Sequence, residues 1–330
     1  MRANDKPRCL SRLPDRVFFA AGPQEPNLPS SYARHFNQGA TILPRNFYFV
    51  RVPDLDGSAD PDRVYWAETE PRQAREAKAP YKGIHIEGQV EGRFIFSTAI
   101  SRHLLPFALL EPAVIVLPVL ADRTGALELC TADDLRRQGY REFAGWMEKV
   151  EHIWNTKRKK KAARQTAYER LDYQGELTRQ NTHSQHLVLY NAAGTNVAAA
   201  HVDTEALCHS FVVEHKLYLC VCKSAAEADY LAAFLNANEV NERIKPFQTQ
   251  GLLGERDIER KVLELPIPLF DPDNSDHNSL AQLGAQAASD AKTYLEGANP
   301  GRSLGRQRTQ VRRALASTLR DIDRLVRHLL

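Results

Sequence analysis

No two prolines are adjacent in this chain, no Gly-x-Gly occurs in it, and its five cysteines are an odd, scattered set. Without Gly-x-Gly there is no glycine-rich turn of the kind whose missing Cβ atoms let backbone approach a nucleotide cofactor. Gly194, in YNAAGTNVAA, stands between two strand-like runs and suits a hairpin turn instead. Cys9, Cys130, Cys208, Cys220 and Cys222 form no disulfide framework and suit reduced thiols in a cytoplasm. The most apolar stretch, Leu104 to Leu120, is interrupted by Pro106, Glu111, Pro112 and Pro118, and falls short of the roughly 20 uninterrupted residues a membrane span needs. The segment from Met1 to Asp15 has no apolar centre and does not read as a signal peptide. A net charge of +3 on 330 residues excludes a polycation of the histone kind, so any surface for a polyanion must come from segregated charge.

What is present fits a mixed α/β (α+β) protein of one large or two moderate domains. Ile42 to Val52, Val64 to Glu68, Ile84 to Val90, Arg93 to Ala99 and Ala113 to Leu120 are rich in β-branched and aromatic residues, as strands are. Thr131, with Asp134 three positions on, offers an N-cap and an acidic first turn for one helix over LRRQGYREFAGWMEKVEHIW. A second strand group follows in Leu187 to Tyr190, Val197 to Val202 and Phe211 to Cys222. Ser224 then caps a helix that places Ala226, Tyr230, Ala233, Phe234 and Val240 at helical spacings. In the tail, Val311, Leu315, Leu319, Ile322, Leu325 and Leu329 fall on one face that must pack against a partner, in this chain or another. The expected division is an irregular arm over 1–38, a first lobe over 39–150, a second over 151–275 and a helical segment over 276–330, with a basic helical stretch joining the lobes.

That stretch, Lys157-Arg158-Lys159-Lys160-Lys161 with Arg164, is the strongest electrostatic feature. A duplex carries one charge per roughly 1.7 Å of axis, and cations set along a helix displace its counterions without regard to sequence. Clustered charge is more often plain solvated surface. The run shortly precedes LDYQGELTRQ, however, where Gln174, Thr178, Arg179 and Gln180 could reach base edges, since Arg pairs bidentately with guanine and Gln with adenine. Gly251 and Gly254 break the helical pattern as loop residues, and Arg256-Asp257 reads as a turn locked by charge-assisted hydrogen bonds rather than as a catalytic pair. Two metal readings compete. Asp203 with Glu214 and Lys216 imitates the Asp...Glu-x-Lys pattern of magnesium nucleases, with Glu214 and Lys216 on one strand face, but no further acidic ligand stands out. Cys208-His209 with Cys220 and Cys222 lacks the spacers that structural zinc prefers, and Cys220 and Cys222 read as core residues.

The stretch YLAAFLNANEVNERIKPFQTQGLLGERDIERKVLELPIPLFD, from Tyr230 to Asp271, resembles the C-terminal target-recognition region of adenine-specific DNA methyltransferases of restriction-modification systems. The residues that carry the likeness are Phe234-Leu235-Asn236, Gly251, Arg256-Asp257-Ile258 and Pro266-Ile267-Pro268. The segments GATILPRNFYFVRV, AKAPYKGIHIEGQVEGRFIFSTAISRHLLPF and LDYQGELTRQ are similar to the same family in the same order, so the resemblance spans most of Gly39 to Asp271. It implies a duplex-DNA-binding specificity portion in which the loops at 173–180 and 248–257 read bases. The family's Asn/Asp-Pro-Pro-aromatic tetrapeptide and its glycine loop for S-adenosylmethionine are both missing here. The resemblance therefore implies that cofactor and chemistry sit on a separate methyltransferase domain or subunit. An RNA-binding or assembly subunit is the other alternative, although no interleaving of basic and aromatic residues of the kind that stacks single-stranded RNA is evident.

Overall fold

The computed structural model of the chain describes residues 29–251, 254–297 and 303–330. The first 28 residues of the expected arm, Cys9 among them, lie outside the described residues.

The first lobe is built on an antiparallel sheet of Val50–Arg51, Val64–Thr69 and Glu87–Glu91. Tyr65 and Ala67 point inward while Trp66 stays 47% exposed, as the two-residue alternation of a half-covered strand dictates. Helices α1 (Arg45–Tyr48), α2 (Pro71–Glu76), α3 (Ala132–Arg137), α4 (Arg141–Lys157) and α5 (Ala167–Leu171) surround it. The strand expected over Ile42 to Val52 is interrupted by α1, because Phe47, Tyr48 and Phe49 are all buried and a short apolar run does not distinguish strand from helical turn. Thr131 caps its helix as expected, in a capping box with Asp134. The helix nevertheless stops at Arg137, where Gly139 takes a φ of +95°. A second helix starts beneath Glu91, whose carboxylate accepts the N–H groups of Glu142 (3.2 Å) and Phe143 (2.9 Å). From there α4 buries Phe143, Trp146, Met147, Val150 and Trp154 along one face.

The second lobe is an antiparallel sheet in the order Phe36–Gln38, Leu217–Cys222, His186–Asn191, Ala199–Asp203. Gly194 lies in the hairpin between the last two strands at φ +146°, the role its flanking runs predict. Helix α6 (Ala225–Asn236), capped by Ser224, packs on this sheet, followed by α7 (Asn238–Ile244). Asn236 closes the contact: its side chain accepts from Ala199 N (3.1 Å) and donates to Ala199 O (2.7 Å), filling the place of a missing strand neighbour.

Helices α8 (Ser275–Glu296), α9 (Leu304–Ala314) and α10 (Ala316–Leu329) complete the same core, so the apolar face of the tail finds its partner within this chain. Two half-buried arginines rivet α9 in place. Arg308 donates to the carbonyls of Ser101 (2.8 Å) and Leu104 (2.9 Å), and Arg312 to those of Asn236 (2.9 Å) and Val197 (2.8 Å). Burial pulls both guanidinium groups down to about 10.

The lobes are stitched by a third sheet, in which Phe211–Val213 runs parallel to Ile95–Ala99, itself antiparallel to Ala113–Val116. The strand expected over Phe211 to Cys222 is thus two strands in two sheets, parted by a turn at Glu214–Lys216. Core membership also moves the expected boundaries. Position 150 falls inside α4, and Tyr168, Leu171 and Leu177 belong to the first core, while Tyr32 and Phe36 from the arm and the C-terminal helices belong to the second.

At the crossing of α6 and α8, a Cβ on Gly284 would stand 2.2 Å from Asp229 O and 3.2 Å from Ala233 Cβ. Gly284→Ala should therefore destabilise the fold by about 1–3 kcal/mol despite alanine's better helix propensity, because the obstructing atom is backbone. A raised melting temperature in thermal unfolding would show that the two helices separate without cost.

Candidate nucleic-acid interface

Glu214 is the pivot of the junction. It is fully buried, and Arg45 of α1 reaches it with Nε (3.1 Å) and Nη2 (2.6 Å) on Oε1. His215 Nδ1 lies 2.8 Å from the same oxygen, and Oε2 accepts the backbone N–H of Lys216 (2.9 Å). Burial pushes this carboxyl up, but His215 and Arg45 outweigh it, so it titrates below its ordinary range.

Around this pivot opens a cleft of about 730 Å³. One wall is Leu43 to Arg45 with the α2 segment as far as Tyr81, the opposite wall comes from Trp154 to Arg170, and His215 and Lys216 close one side. Its lining carries Arg45, Lys78, Lys159, Arg170 and Lys216 against one carboxylate, Glu76, which Arg72 (2.7 Å) and Arg102 (3.2 Å) already neutralise. Tyr81 and Trp154 stack in parallel there, with ring centroids 5.8 Å apart and planes 1° apart. Asn46 fixes the Tyr81 loop by donating to the carbonyls of Tyr81 and Ile84, both at 3.0 Å.

The basic run sits at the rim of this cleft. Lys157 ends α4, and Lys157, Lys159, Lys160 and Arg164 are exposed, while the side chain of Lys161 lies outside the described ones. Arg158 (2.8 Å) and Trp154 Nε1 (2.7 Å) both donate to Gln165 O, folding the segment back onto α4, so the expected basic helix is a helix end followed by a single turn at Lys160–Ala162.

The polar stretch divides. Gln174 and Arg179 are exposed, but Thr178 donates its hydroxyl to Asp172 (2.8 Å), and Gln180 is buried, accepting from Val213 N (2.7 Å) and donating to Val213 O (3.0 Å). Gln180 occupies the free edge of the Phe211–Val213 strand in place of another strand, and Thr178 is held within its own loop, so neither amide nor hydroxyl is available to a base edge. In the 250–255 hairpin, Gly251 pairs with Gly254. Asp257 accepts from the Thr249 hydroxyl, and Gly194 N–H donates to Arg256 O (2.6 Å), tying this hairpin to the one at Gly194. The guanidinium of Arg256 is exposed and forms no ion pair among the described residues, so the locking expected of the Arg-Asp pair falls to Asp257 and to backbone.

The metal readings come apart. Asp203 pairs with His186, which also pairs with Cys222, whereas Glu214 precedes Leu217, the partner of Asn191. Five residues of strand, about 16 Å, separate these ends. Glu214 is moreover committed to Arg45, and Lys216 shares its tight turn rather than a strand face, so the nuclease trio is not assembled. Cys220 and Cys222 are buried in the second core, and Cys208 is exposed. Among the described residues, Glu68, His85 and Glu87 are close enough together to hold a metal, but Arg51 already pairs with Glu68.

Sequence reasoning missed Arg45, Lys78 and Arg170, and gave Lys216 a place in a metal motif instead of in this cleft. They come from four separate segments with no shared spacing, and only the fold brings them together.

The architecture is α/β, as the strand and helix patterns predict. Its fold matches that of the Type IIL restriction-modification enzyme MmeI, solved in complex with DNA, at a TM-score of 0.52 and 12% sequence identity. The match covers 95% of this chain and 34% of that one, so the chain spans about a third of MmeI's length. No protein-family model and no curated protein matches the chain. Among the described residues no helix is long and apolar enough to cross a membrane.

Removing Arg45 strands a buried charge. Arg45→Ala should cost about 3–5 kcal/mol at neutral pH. Because Glu214 titrates below its ordinary range, the stability it contributes is present above the unfolded carboxylate pKa and is lost as pH falls through the folded value. The penalty of the variant should thus shrink on acidification, when the unpaired carboxyl of the variant takes up a proton and no longer stands as a buried charge. Urea midpoints that differ by as much at pH 3.5, roughly the lower carboxylate range, as at pH 7 would contradict the pairing.

Proposed function

We propose that this chain is the target-recognition portion of a restriction-modification adenine DNA methyltransferase: it holds duplex DNA across the basic cleft, and another domain or subunit performs the methyl transfer. The observation that carries the proposal is the convergence of Lys78, Lys159, Arg170 and Lys216 on one cleft, where Arg45 is paired with Glu214 and the one lining carboxylate is already neutralised. Lys78, Lys159 and Lys216 have no side-chain partner among the described residues, which leaves them to face phosphates. The fold shared with MmeI, a restriction-modification enzyme solved with DNA, supports the same reading, as does the ordered series of segments resembling methyltransferase recognition regions. In this division of labour the cations position the duplex, and Gln174 and Arg256 supply contacts to bases. S-adenosylmethionine belongs to the catalytic partner.

Replacing Lys78, Lys159 and Lys216 together with alanine should weaken binding to all duplexes alike and lower the slope of log affinity against log salt by about one for each phosphate that is no longer neutralised. An unchanged slope in an anisotropy titration would remove the cleft from the interface. The chain by itself should give no heat with S-adenosylmethionine in calorimetry; stoichiometric binding would place the cofactor site here and overturn the division.

A further inference from the structure

The loop 172–180 pairs a rigid frame with an exposed aromatic tip. Asp172 accepts three hydrogen bonds, from Leu177 N (2.9 Å), Thr178 N (3.0 Å) and Thr178 Oγ1 (2.8 Å). Leu177 is fully buried in the first core, Glu176 accepts from Thr41 Oγ1 (3.1 Å), and Gln180 is clamped to Val213. The first lobe and the sheet that joins the lobes thus hold the base of the loop. At its tip Gln174 adopts φ 57°, ψ 21° and Gly175 φ 70°, two left-handed residues in succession, a conformation that costs a non-glycine residue about 1 kcal/mol or more and persists only when its surroundings enforce it. The conformation leaves Tyr173 43% exposed, with Arg170, itself a cleft residue, 6.0 Å over its ring, while Arg179 braces the tip by donating to Gln174 O (3.0 Å). An aromatic ring left half exposed on a braced loop, with the Arg170 guanidinium beside it and Arg179 in the same loop, is shaped for a flat apolar partner flanked by negative charge.

We propose that Tyr173 is a stacking wedge that enters the base stack of the bound duplex, with Arg170 and Arg179 on the flanking phosphates. The proposal rests on the duplex-binding reading of the cleft and adds to it a contact made by shape rather than by hydrogen bonding. Inserted side chains partly unstack a base step, at a cost that depends on how firmly the step is stacked. Base–aromatic stacking tolerates any base, because every base has a π-face. A step that already has a gap should therefore be preferred.

The test uses the full chain and two labelled duplexes of one arbitrary sequence, intact or with a single central abasic site, titrated by fluorescence anisotropy at low ionic strength. The wild type should bind the abasic duplex on the order of tenfold more tightly. Tyr173→Ala should bring the ratio close to one with the salt slope unchanged, and Tyr173→Phe should retain the preference, since the ring and not the hydroxyl does the stacking. An equal ratio for the wild type and Tyr173→Ala, with both still binding in a salt-dependent manner, overturns the wedge and leaves the cleft reading standing. Failure of the wild type to bind either duplex overturns both.

Discussion

The Arg45–Glu214 pair is the constraint on which the rest of this molecule turns. Glu214 follows a strand that belongs to a sheet with the first lobe, and three residues later the chain enters a different sheet that belongs to the second. A buried carboxylate at such a switch would be prohibitive alone. Arg45, His215 and the Lys216 amide make it tolerable, and because Arg45 comes from the first lobe, the ion pair fixes the angle between lobes as well as the turn. The cleft is a by-product of that angle: Arg45, His215 and Lys216 form part of its lining.

A recurring device in this fold is the side chain that stands in for backbone. Gln180 serves the buried edge of Val213, Asn236 serves Ala199, and Arg312 takes the carbonyls at the end of α6 and at Val197. Short sheets leave many unpaired edges, and buried edges must be satisfied. Long polar side chains from neighbouring segments do this here without lengthening a strand, and this explains why several residues that look available for recognition in the sequence are not.

The regular parts of the fold are legible in the sequence. Ser224 and Thr131 cap their helices, Gly194 turns a hairpin, and the apolar stripe of the C-terminal tail folds against its own chain, because caps, turns and periodicity are local. Beyond a short apolar run that forms α1 and a helix broken at Gly139, the failures are non-local. Nothing near Glu214 announces that its partner is Arg45, 169 positions away, so the Glu-His-Lys run reads as a strand with a metal motif. Gln180 looks like a base reader because the edge it covers is 33 residues distant. The basic run is visible as charge, but its surroundings are not: Lys78 and Lys216 face Lys159 across a cleft only once the lobes meet.

The manner in which α9 is held has a practical side. Arg308 and Arg312 are half-buried cations bonded to backbone carbonyl dipoles rather than to surface carboxylates. Counterions that screen exposed charge have little access to such contacts. Concentrated salt should therefore screen the lysine-rich face while leaving the helical cap seated.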